Sequence, residues 1–333
     1  MTGKSLRRFL LLFAGVLLLS ALVWRAGPQD ILDQLLSVGW GFGILLLLSL
    51  AWNTTAALAW RMLFDRNHPT IGWKRLWHTR LAGEAVNTLT PFLNLGGEPV
   101  KVWLLKEHLD GDQGATYVVL DKTIYFLASL LYMASGLLLG FLVFTGEPMI
   151  LGAACALLTV WLVAIGWIIR RQRKGHTILG FMNLLEKIGV KFSHERRERM
   201  ERIDADLAAF WETHQIRFLM ALSLHFLGRV FRAVDVWVIA WLLGMDMNFL
   251  AAYVISAAAV IINAAFSFIP GALGAYEGGH GLLLKSLGLG MEGGVSMGIL
   301  RRVRTLTFAG LSYLLLVFRP DTGNAPADEG VES

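Results

Sequence analysis

Long apolar stretches separated by short polar segments dominate the chain. Seven of them are long enough, or nearly so, to cross a bilayer core of about 30 Å as an α-helix. They cover residues 6–24, 38–60, 115–144, 149–169, 216–243, 250–268 and 294–318. This pattern predicts an all-α polytopic membrane protein with about seven spans, folded as a single integral membrane domain over residues 1–333.

The first apolar stretch could be mistaken for a signal peptide, because Lys4, Arg7 and Arg8 precede it. The segment WRAGP at 24–28 is a poor small-residue cleavage site and further spans follow, so we interpret the stretch as a retained span. Basic clusters also follow residues 60 and 169, whereas the loops at 29–33 and 145–149 contain no lysine or arginine. The positive-inside rule therefore predicts a cytoplasmic N-terminus and a cytoplasmic, amphipathic linker over residues 170–215.

The composition agrees with this class. Of the 333 residues, 55% are hydrophobic and only 17% are charged, whereas soluble domains are about a quarter charged. In a membrane protein, basic residues mostly reflect membrane topology. The net charge of +5 therefore gives no reason to expect a nucleic-acid partner. The single cysteine, Cys155, excludes an internal disulfide. Residues 320–333 are polar and predict a disordered tail.

Two parts of the chain match when the sequence is shifted by 179 positions. The matches that stand out in so apolar a composition are Pro91 with Pro270, Glu98 with Glu277, Lys106 with Lys285, and Lys122 with Arg301. The shift predicts a duplication, with a first repeat at 38–144 and a second at 216–318. Residues 38–60 would cross the membrane from outside to inside and residues 216–243 from inside to outside, so the two repeats would have inverted orientations. Inverted repeats with interrupted helices are typical of a transporter's substrate site.

Each repeat is predicted to contain a re-entrant helical hairpin. In the first, residues 73–90 descend into the membrane and residues 98–108 return. The returning arm is about 16 Å long, which is too short to span the bilayer. Two true spans over residues 73–108 are the alternative. In the second, residues 250–268 descend and residues 277–287 return. Such irregular backbone is tolerated at membrane depth where it lines a polar chamber. The residues predicted to stop the arms and allow tight turns are Pro91, Gly96, Gly97, Pro270, Gly271 and Gly274.

Ionisable residues within or beside the apolar stretches are the candidate substrate-binding groups. Each costs about 2.5–3.5 kcal/mol at a helix centre, so these residues must pair or meet water. Eight are basic and five acidic, which leaves positive charge for an anionic ligand such as phosphate. The alternatives are salt bridges between repeats, arginines that snorkel to the interface, and glutamates that only cap helices. The predicted binding set is Glu98, Lys101, Asp121, Lys122, Arg229, Arg232, Glu277, Arg301, Arg302 and Arg304, and the other three are Arg80, Glu84 and Asp235.

Residue spacing also predicts some ion pairs. Oppositely charged residues three or four positions apart share one face of a helix. The expected pairs are Arg80 with Glu84, Arg232 with Asp235, and, across the repeats, Asp121 or Lys122 with Arg301.

Catalytic motifs of the HExxH, GxSxG, P-loop and CxxC types do not occur in the sequence. The lone histidines His225 and His280 are expected to be hydrogen-bonded polar groups rather than metal ligands. We therefore expect a protein without enzymatic activity, cofactor or metal site.

Two landmarks resemble a known family: LGGEPVK at 95–101, shortly after NTLTP, and SFIPGALGAYEGG at 267–279. They resemble the flippase-like family, also called the lysylphosphatidylglycerol synthase transmembrane domain family, over roughly residues 5–318. Synthases of this family join such a membrane domain to an aminoacyl-transfer domain, so the resemblance implies the lipid-translocating half alone. It marks Glu98, Glu277 and the Lys122/Arg301 region as lipid contacts. Members with GGEPV are also similar to proteins linked to hopanoid lipids.

The sequence thus predicts a polar-lipid translocase that moves an anionic or zwitterionic lipid through a central cavity, across the bacterial cytoplasmic (inner) membrane. One alternative is a lipid-modifying enzyme or lipid-presenting accessory subunit, for example in aminoacyl-phospholipid or hopanoid metabolism. Another is a scaffold whose charges serve assembly. The expected partner is a membrane lipid of the phospholipid or hopanoid type, and a lipid-synthesising enzyme is a candidate. The lipid, the direction of movement and the oligomeric state are left open.

Overall fold

The computed structural model describes residues 28–64, 71–89, 95–106, 108–143, 148–187, 189, 191–265 and 275–317. Regular secondary structure in these ranges is entirely helical, which confirms the predicted all-α class. The helices are α1 Pro28–Val38, α2 Gly41–Leu63, α3 Trp73–Leu89, α4 Gly97–Leu105, α5 Gly111–Val143, α6 Pro148–Arg173, α7 Thr177–Lys187, α8 His194–Thr213, α9 Gln215–Leu242, α10 Phe249–Ala265, α11 Ala275–Ser286 and α12 Met291–Val317.

Two of the described helices, Gly41–Leu63 and Gly111–Gly140, are both long enough and apolar enough to cross a membrane. The helices α6, α9 and α12 contain 26, 28 and 27 residues, which at 1.5 Å per residue gives about 40 Å each. All three have the length of a span; α9 and α12 carry charged residues along their length, whereas residues 149–169 of α6 contain none. The number of spans therefore stays a prediction, and the predicted span at 6–24 and tail at 320–333 lie outside the described residues.

The helices α2 to α5 and α9 to α12 follow one another in the same order. A shift of 179 positions brings the start of each helix in the first set within five residues of its counterpart in the second. Contacts between the sets are reciprocal: α2 packs on α9, α3 packs on α12, and α5 packs on α10. This order and packing agree with the duplication, whereas the inverted orientation in the membrane stays a prediction.

The helix pairs α3/α4 and α10/α11 occupy the positions of the two predicted hairpins. The members of each pair pack on each other, and α4 and α11 contain only 9 and 12 residues. The described length of α4, about 14 Å, is well below the 30 Å of a bilayer core, so this returning arm is shorter than a span. The residues directly before Ala275 lie outside the described part of the structure, and the re-entrant form of both hairpins stays a prediction. Pro91, Pro270, Gly271 and Gly274 lie outside the described residues.

The glycines of the first hairpin allow close helix packing. Gly96 has φ −62° and ψ −26°, which are ordinary right-handed helical values, and Gly97 begins α4. The predicted need for unusual backbone at these two residues is therefore wrong. Instead, a Cβ on Gly97 would overlap the carbonyl oxygen of Gly83, and a Cβ on Gly83 would overlap the Lys101 side chain. The absence of Cβ atoms is what brings α3 and α4 together.

A Gly97→Ala variant should therefore be less stable than wild type. The new methyl group meets backbone, which cannot swing aside, so we expect overpacking to cost about 1–3 kcal/mol. Thermal unfolding of the detergent-purified protein measures the loss. Gly43→Ala in α2 is the matched control, because no described atom lies within 4 Å of that position. Equal melting temperatures for the two variants would contradict the tight crossing.

The linker folds as two helices, in agreement with its amphipathic pattern. The carboxylate of Asp204 on α8 is buried and accepts the backbone N–H groups of Thr177 and Leu179 at 3.1 and 3.0 Å. A negative group at the start of α7 also suits the helix dipole. Further along, α7 exposes Phe181 and Leu184. Arg199 on α8 and the neighbouring Arg202 bind Asp112 at the start of α5, which attaches the linker to the first repeat.

Candidate functional site

A cavity with several charged residues in its lining lies where α2, α3, α5 and α9 meet. The empty space is about 300 Å³ when its open mouth is counted, but the free interior has room for roughly one or two water molecules. Gly228 on α9 keeps α2 close, since a Cβ there would lie 3.0 Å from the Thr55 hydroxyl. The lining residues are Trp52, Asn53, Ala56, Arg80, Glu84, Tyr125, His225, Gly228, Arg229 and Arg232.

Asp121 connects three helices behind this cavity. It is 1% exposed, and its Oδ2 accepts a hydrogen bond of 2.6 Å from Arg80 Nη1 on α3. Its Oδ1 lies 3.0 Å from His225 Nε2 on α9. The ring of Tyr125, one turn along α5, meets the His225 ring edge-on at 5.6 Å. A buried carboxylate needs such partners, so this group fixes α3, α5 and α9 relative to one another.

Glu98 connects the first hairpin to α5. Its carboxylate accepts hydrogen bonds from Lys101 at 2.8 Å, from Lys122 at 3.0 Å and from Asn87 Nδ2 at 3.1 Å. The Asn87 side chain also accepts the backbone N–H of Gly97 at 2.7 Å. Glu98 is in the first turn of α4, where the helix dipole favours a negative charge. Its role in this geometry is to hold α3, α4 and α5 together.

Two arginines of α9 line the cavity next to aromatic rings. Arg229 is buried, donates to the Ser129 hydroxyl, and places its guanidinium carbon 4.4 Å from the centre of the Tyr125 ring. Arg232 lies 5.0 Å from the centre of the Trp52 ring. Aromatic faces attract cations without neutralising them. Both guanidinium groups therefore keep their charge beside the cavity.

Arg301 and Arg304 of α12 form a second group, around Asp235. This carboxylate is fully buried; it forms an ion pair with Arg304 and lies 3.7 Å from Arg301 Nε. Arg301 Nη1 is 2.7 Å from His280 Nε2 on α11, and Arg304 lies 4.6 Å from the Trp52 ring centre. Arg301, Arg302 and Arg304 are not among the cavity-lining residues. Glu277 belongs to α11, and its side chain lies outside the described part of the structure.

The structure thus divides the predicted binding set. Of the members whose side chains are described, Arg229 and Arg232 line the cavity, whereas Asp121 lies behind it and Glu98 with its two lysines lies at the hairpin. The predicted pairing of Asp121 or Lys122 with Arg301 is wrong, since these two residues bind Arg80 and Glu98 instead. The observed pairs are Arg80 with Asp121, Lys122 with Glu98, and Asp235 with Arg301 and Arg304.

Several lining residues were absent from the predicted set. Arg80 and Glu84 had been noticed as charges in an apolar region, and His225 as a polar group, but none was assigned to the site. Trp52 and Tyr125 had no distinguishing signal, because aromatic residues are common in membrane helices. For Tyr125, the one available hint was its position four residues after Asp121, on the same face of α5.

Comparisons with known proteins place these features in a family. The family described as "Lysylphosphatidylglycerol synthase TM region" matches residues 10–312 of the chain. A relative described as a UPF0104 membrane protein, from Methanothermobacter thermautotrophicus, is 26% identical over 293 residues, which are 81% of this chain and 82% of that protein. No solved structure shows significant similarity.

Proposed function

The chain belongs to the lysylphosphatidylglycerol synthase TM region family and is a helical membrane protein, and from this premise we propose that it is a polar-lipid translocase. The lipid head group, anionic or zwitterionic, passes through the cavity between α2, α3, α5 and α9. The acyl chains stay in the bilayer, and the lipid undergoes no covalent change. The membrane is the cytoplasmic membrane, with the N-terminus on the cytoplasmic side.

The observation that carries the proposal is the charge of the cavity wall. Among the described lining residues, Arg80, Arg229 and Arg232 are basic and Glu84 is the one carboxylate. Charged side chains at membrane depth are costly and mark substrate pathways. Guanidinium groups bind phosphate oxygens in bidentate fashion and are less strongly hydrated than ammonium groups. A phosphate-bearing head group therefore fits this wall better than a cation or a neutral solute.

Passage of a head group requires a larger space than this conformation offers, because the interior holds only roughly one or two water molecules. The reciprocal packing of the two repeats, α2 on α9, α3 on α12 and α5 on α10, supplies a surface along which one unit can rock against the other. Such rocking around a fixed central site is the usual route to alternating access in repeat-built transporters. The cavity described above then represents a closed state.

Arginine-to-glutamine substitution at Arg232 should slow translocation. A charge-assisted hydrogen bond contributes about 1.5–3 kcal/mol, so its loss should reduce the rate about 10–100-fold, and the double variant with Arg229→Gln should lose more. The assay reconstitutes the protein in liposomes with a trace of fluorescent phosphatidylglycerol and measures the fraction that dithionite quenches.

The matched control is Arg197→Gln on the exposed surface of α8, where Arg197 pairs with Glu186; its rate should equal that of wild type. Mass spectrometry of the recovered lipid should show an unchanged molecule. A wild-type rate in the Arg229/Arg232 double variant would refute the proposed pathway.

A further inference from the structure

We propose that His225 and Asp121 form a proton-binding site that couples head-group passage to a proton gradient, with one proton moving together with each anionic lipid. This inference rests on the proposed translocase function and adds its energy source. It starts from a buried pair that lipid binding alone does not require.

The pair has the geometry of a proton site. The carboxylate of Asp121 is shared between Arg80 Nη1 at 2.6 Å and His225 Nε2 at 3.0 Å. All three side chains are buried, with exposed fractions of 5% or less. Arg80 and His225 also line the cavity, so one side of each faces the path of the lipid and the other faces Asp121. A change in the cavity can thus reach the carboxylate through either partner.

The charges around His225 come from each helix packed against it. From α3 and α5 these are Arg80, Glu84 and Asp121, with the phenol of Tyr125, and from α9 itself they are Arg229 and Arg232. Lys122 of α5 pairs with Glu98 of α4, and Arg301 and Arg304 of α12 engage Asp235 further along α9. The helix α2 presents Trp52 and Asn53 to the same cavity. Asp121 is the carboxylate that both Arg80 and His225 contact, so it is the group that loses a partner when Arg80 turns away.

The coupling step is an exchange of partners. In the closed state Asp121 is ionised and acceptor-only, so Nε2 of neutral His225 carries the hydrogen that it donates, and Nδ1 carries a lone pair. When a phosphate group enters, it attracts the Arg80 guanidinium away from Asp121. A proton from cavity water then binds Nδ1, and the resulting imidazolium compensates Asp121. One negative and one positive charge have entered, so the loaded site gains no net charge.

A histidine is suited to this position for a physical reason. Lysine or arginine would remain cationic in both states and would hold Asp121 with or without lipid. Histidine is the side chain that changes its charge within the pH range of the cell. Proton relays built from carboxylates and histidines are a known use of ionisable groups inside membranes.

The test measures a final distribution rather than a rate. Protein is reconstituted in phosphatidylcholine vesicles with a trace of acyl-labelled fluorescent phosphatidylglycerol, with potassium and valinomycin holding the membrane potential at zero. A pH difference of one unit is imposed, and dithionite reports the label in each leaflet. Movement of one proton with each anion should enrich the label about tenfold in the leaflet facing the alkaline side. Protein-free vesicles correct for spontaneous movement.

The His225→Gln variant should show no enrichment, whether it equilibrates the lipid quickly or slowly. If His225→Gln does not fold, the smaller substitution His225→Asn is used instead. His176→Gln, at an exposed histidine in the linker, should retain the tenfold enrichment. Enrichment that persists without His225, or its absence in wild-type protein that does equilibrate the lipid, would overturn the coupling and leave the translocase intact. Failure of wild type to equilibrate the lipid at either pH would remove both.

Discussion

An Asp121→Ala variant is expected to unfold far more easily than wild type. The substitution leaves the Arg80 guanidinium, which is 5% exposed, without the carboxylate that it contacts at 2.6 Å. Breaking a buried ion pair on one side costs about 3–5 kcal/mol, because an uncompensated charge stays in a medium of low polarity. Thermal or denaturant unfolding of the detergent-purified protein should show the loss directly.

The size of this effect depends on burial, and the chain offers a matched comparison. Asp112 also binds two basic side chains, Arg199 and Arg202, but these are 42% and 62% exposed. Surface ion pairs contribute about 0–1 kcal/mol, so Asp112→Ala should be nearly neutral. Asp121→Asn, which keeps the shape and one acceptor, should fall between the two alanine variants. Similar melting temperatures for Asp121→Ala and Asp112→Ala would show that Asp121 is not buried among charges.

The sequence was most informative about helices and their ends. Residues 73–90 and 98–108 were predicted as the arms of the first hairpin, and the structure has α3 at Trp73–Leu89 and α4 at Gly97–Leu105. Helix ends depend on the backbone preferences of nearby residues, proline above all, so they can be predicted without knowledge of the tertiary structure. The same holds for the matched helix order under the 179-position shift. The role of Gly83 and Gly97 is tertiary, since they allow α3 and α4 to pack closely, and the local pattern did not show it.

The ion pairs were predicted poorly because partner choice depends on helix crossings. Arg80 and Glu84 are correctly spaced for a pair on one helix, yet Arg80 contacts Asp121, which is 41 residues away in the chain. Local spacing gives at most a few tenths of a kilocalorie per mole, whereas a buried carboxylate on a neighbouring helix is far costlier to leave without a partner. The packing of α3, α5 and α9 decides which carboxylate lies opposite Arg80. The local sequence pattern does not predict that packing.

The division between structural and functional charges has the same origin. The sequence shows three more basic than acidic residues at membrane depth, but it does not tell which of them face a cavity. In the structure, Glu98 takes two lysines and Asp235 takes two arginines. The described cavity wall carries Arg229 and Arg232 together with Arg80, which Asp121 engages from behind. This shifts the proposed head-group site from the Arg301–Arg304 region to the interface of α3, α5 and α9.

A double-mutant cycle on the hairpin should separate these two kinds of charge. Glu98→Gln alone leaves Lys101, which is 1% exposed, without the carboxylate that it contacts at 2.8 Å, so we expect a loss of about 3–5 kcal/mol. Adding Lys101→Met should recover most of it. Methionine at position 101 can fill the space that the aliphatic part of the lysine occupies beside Gly83. Glutamine at position 98 can still accept a hydrogen bond from the Asn87 side chain. Lys122 keeps its contacts with the rings of Tyr125 and Phe126, whose centres are 5.4 Å from its Nζ.

The recovery tests whether the hairpin ion pair serves structure alone. Replacing a buried ion pair by uncharged groups of similar volume is often neutral or stabilising, so the double variant should lie within about 1 kcal/mol of wild type, and the coupling energy should exceed about 2 kcal/mol. Glu98→Gln combined with Lys187→Met, at an exposed position of α7, should instead be additive. If the Glu98/Lys101 variant is stable and still translocates lipid, these two charges hold the hairpin and the head-group contacts lie in the cavity. Additive losses for Glu98 and Lys101 would mean that the two side chains do not depend on each other, against the 2.8 Å contact between them.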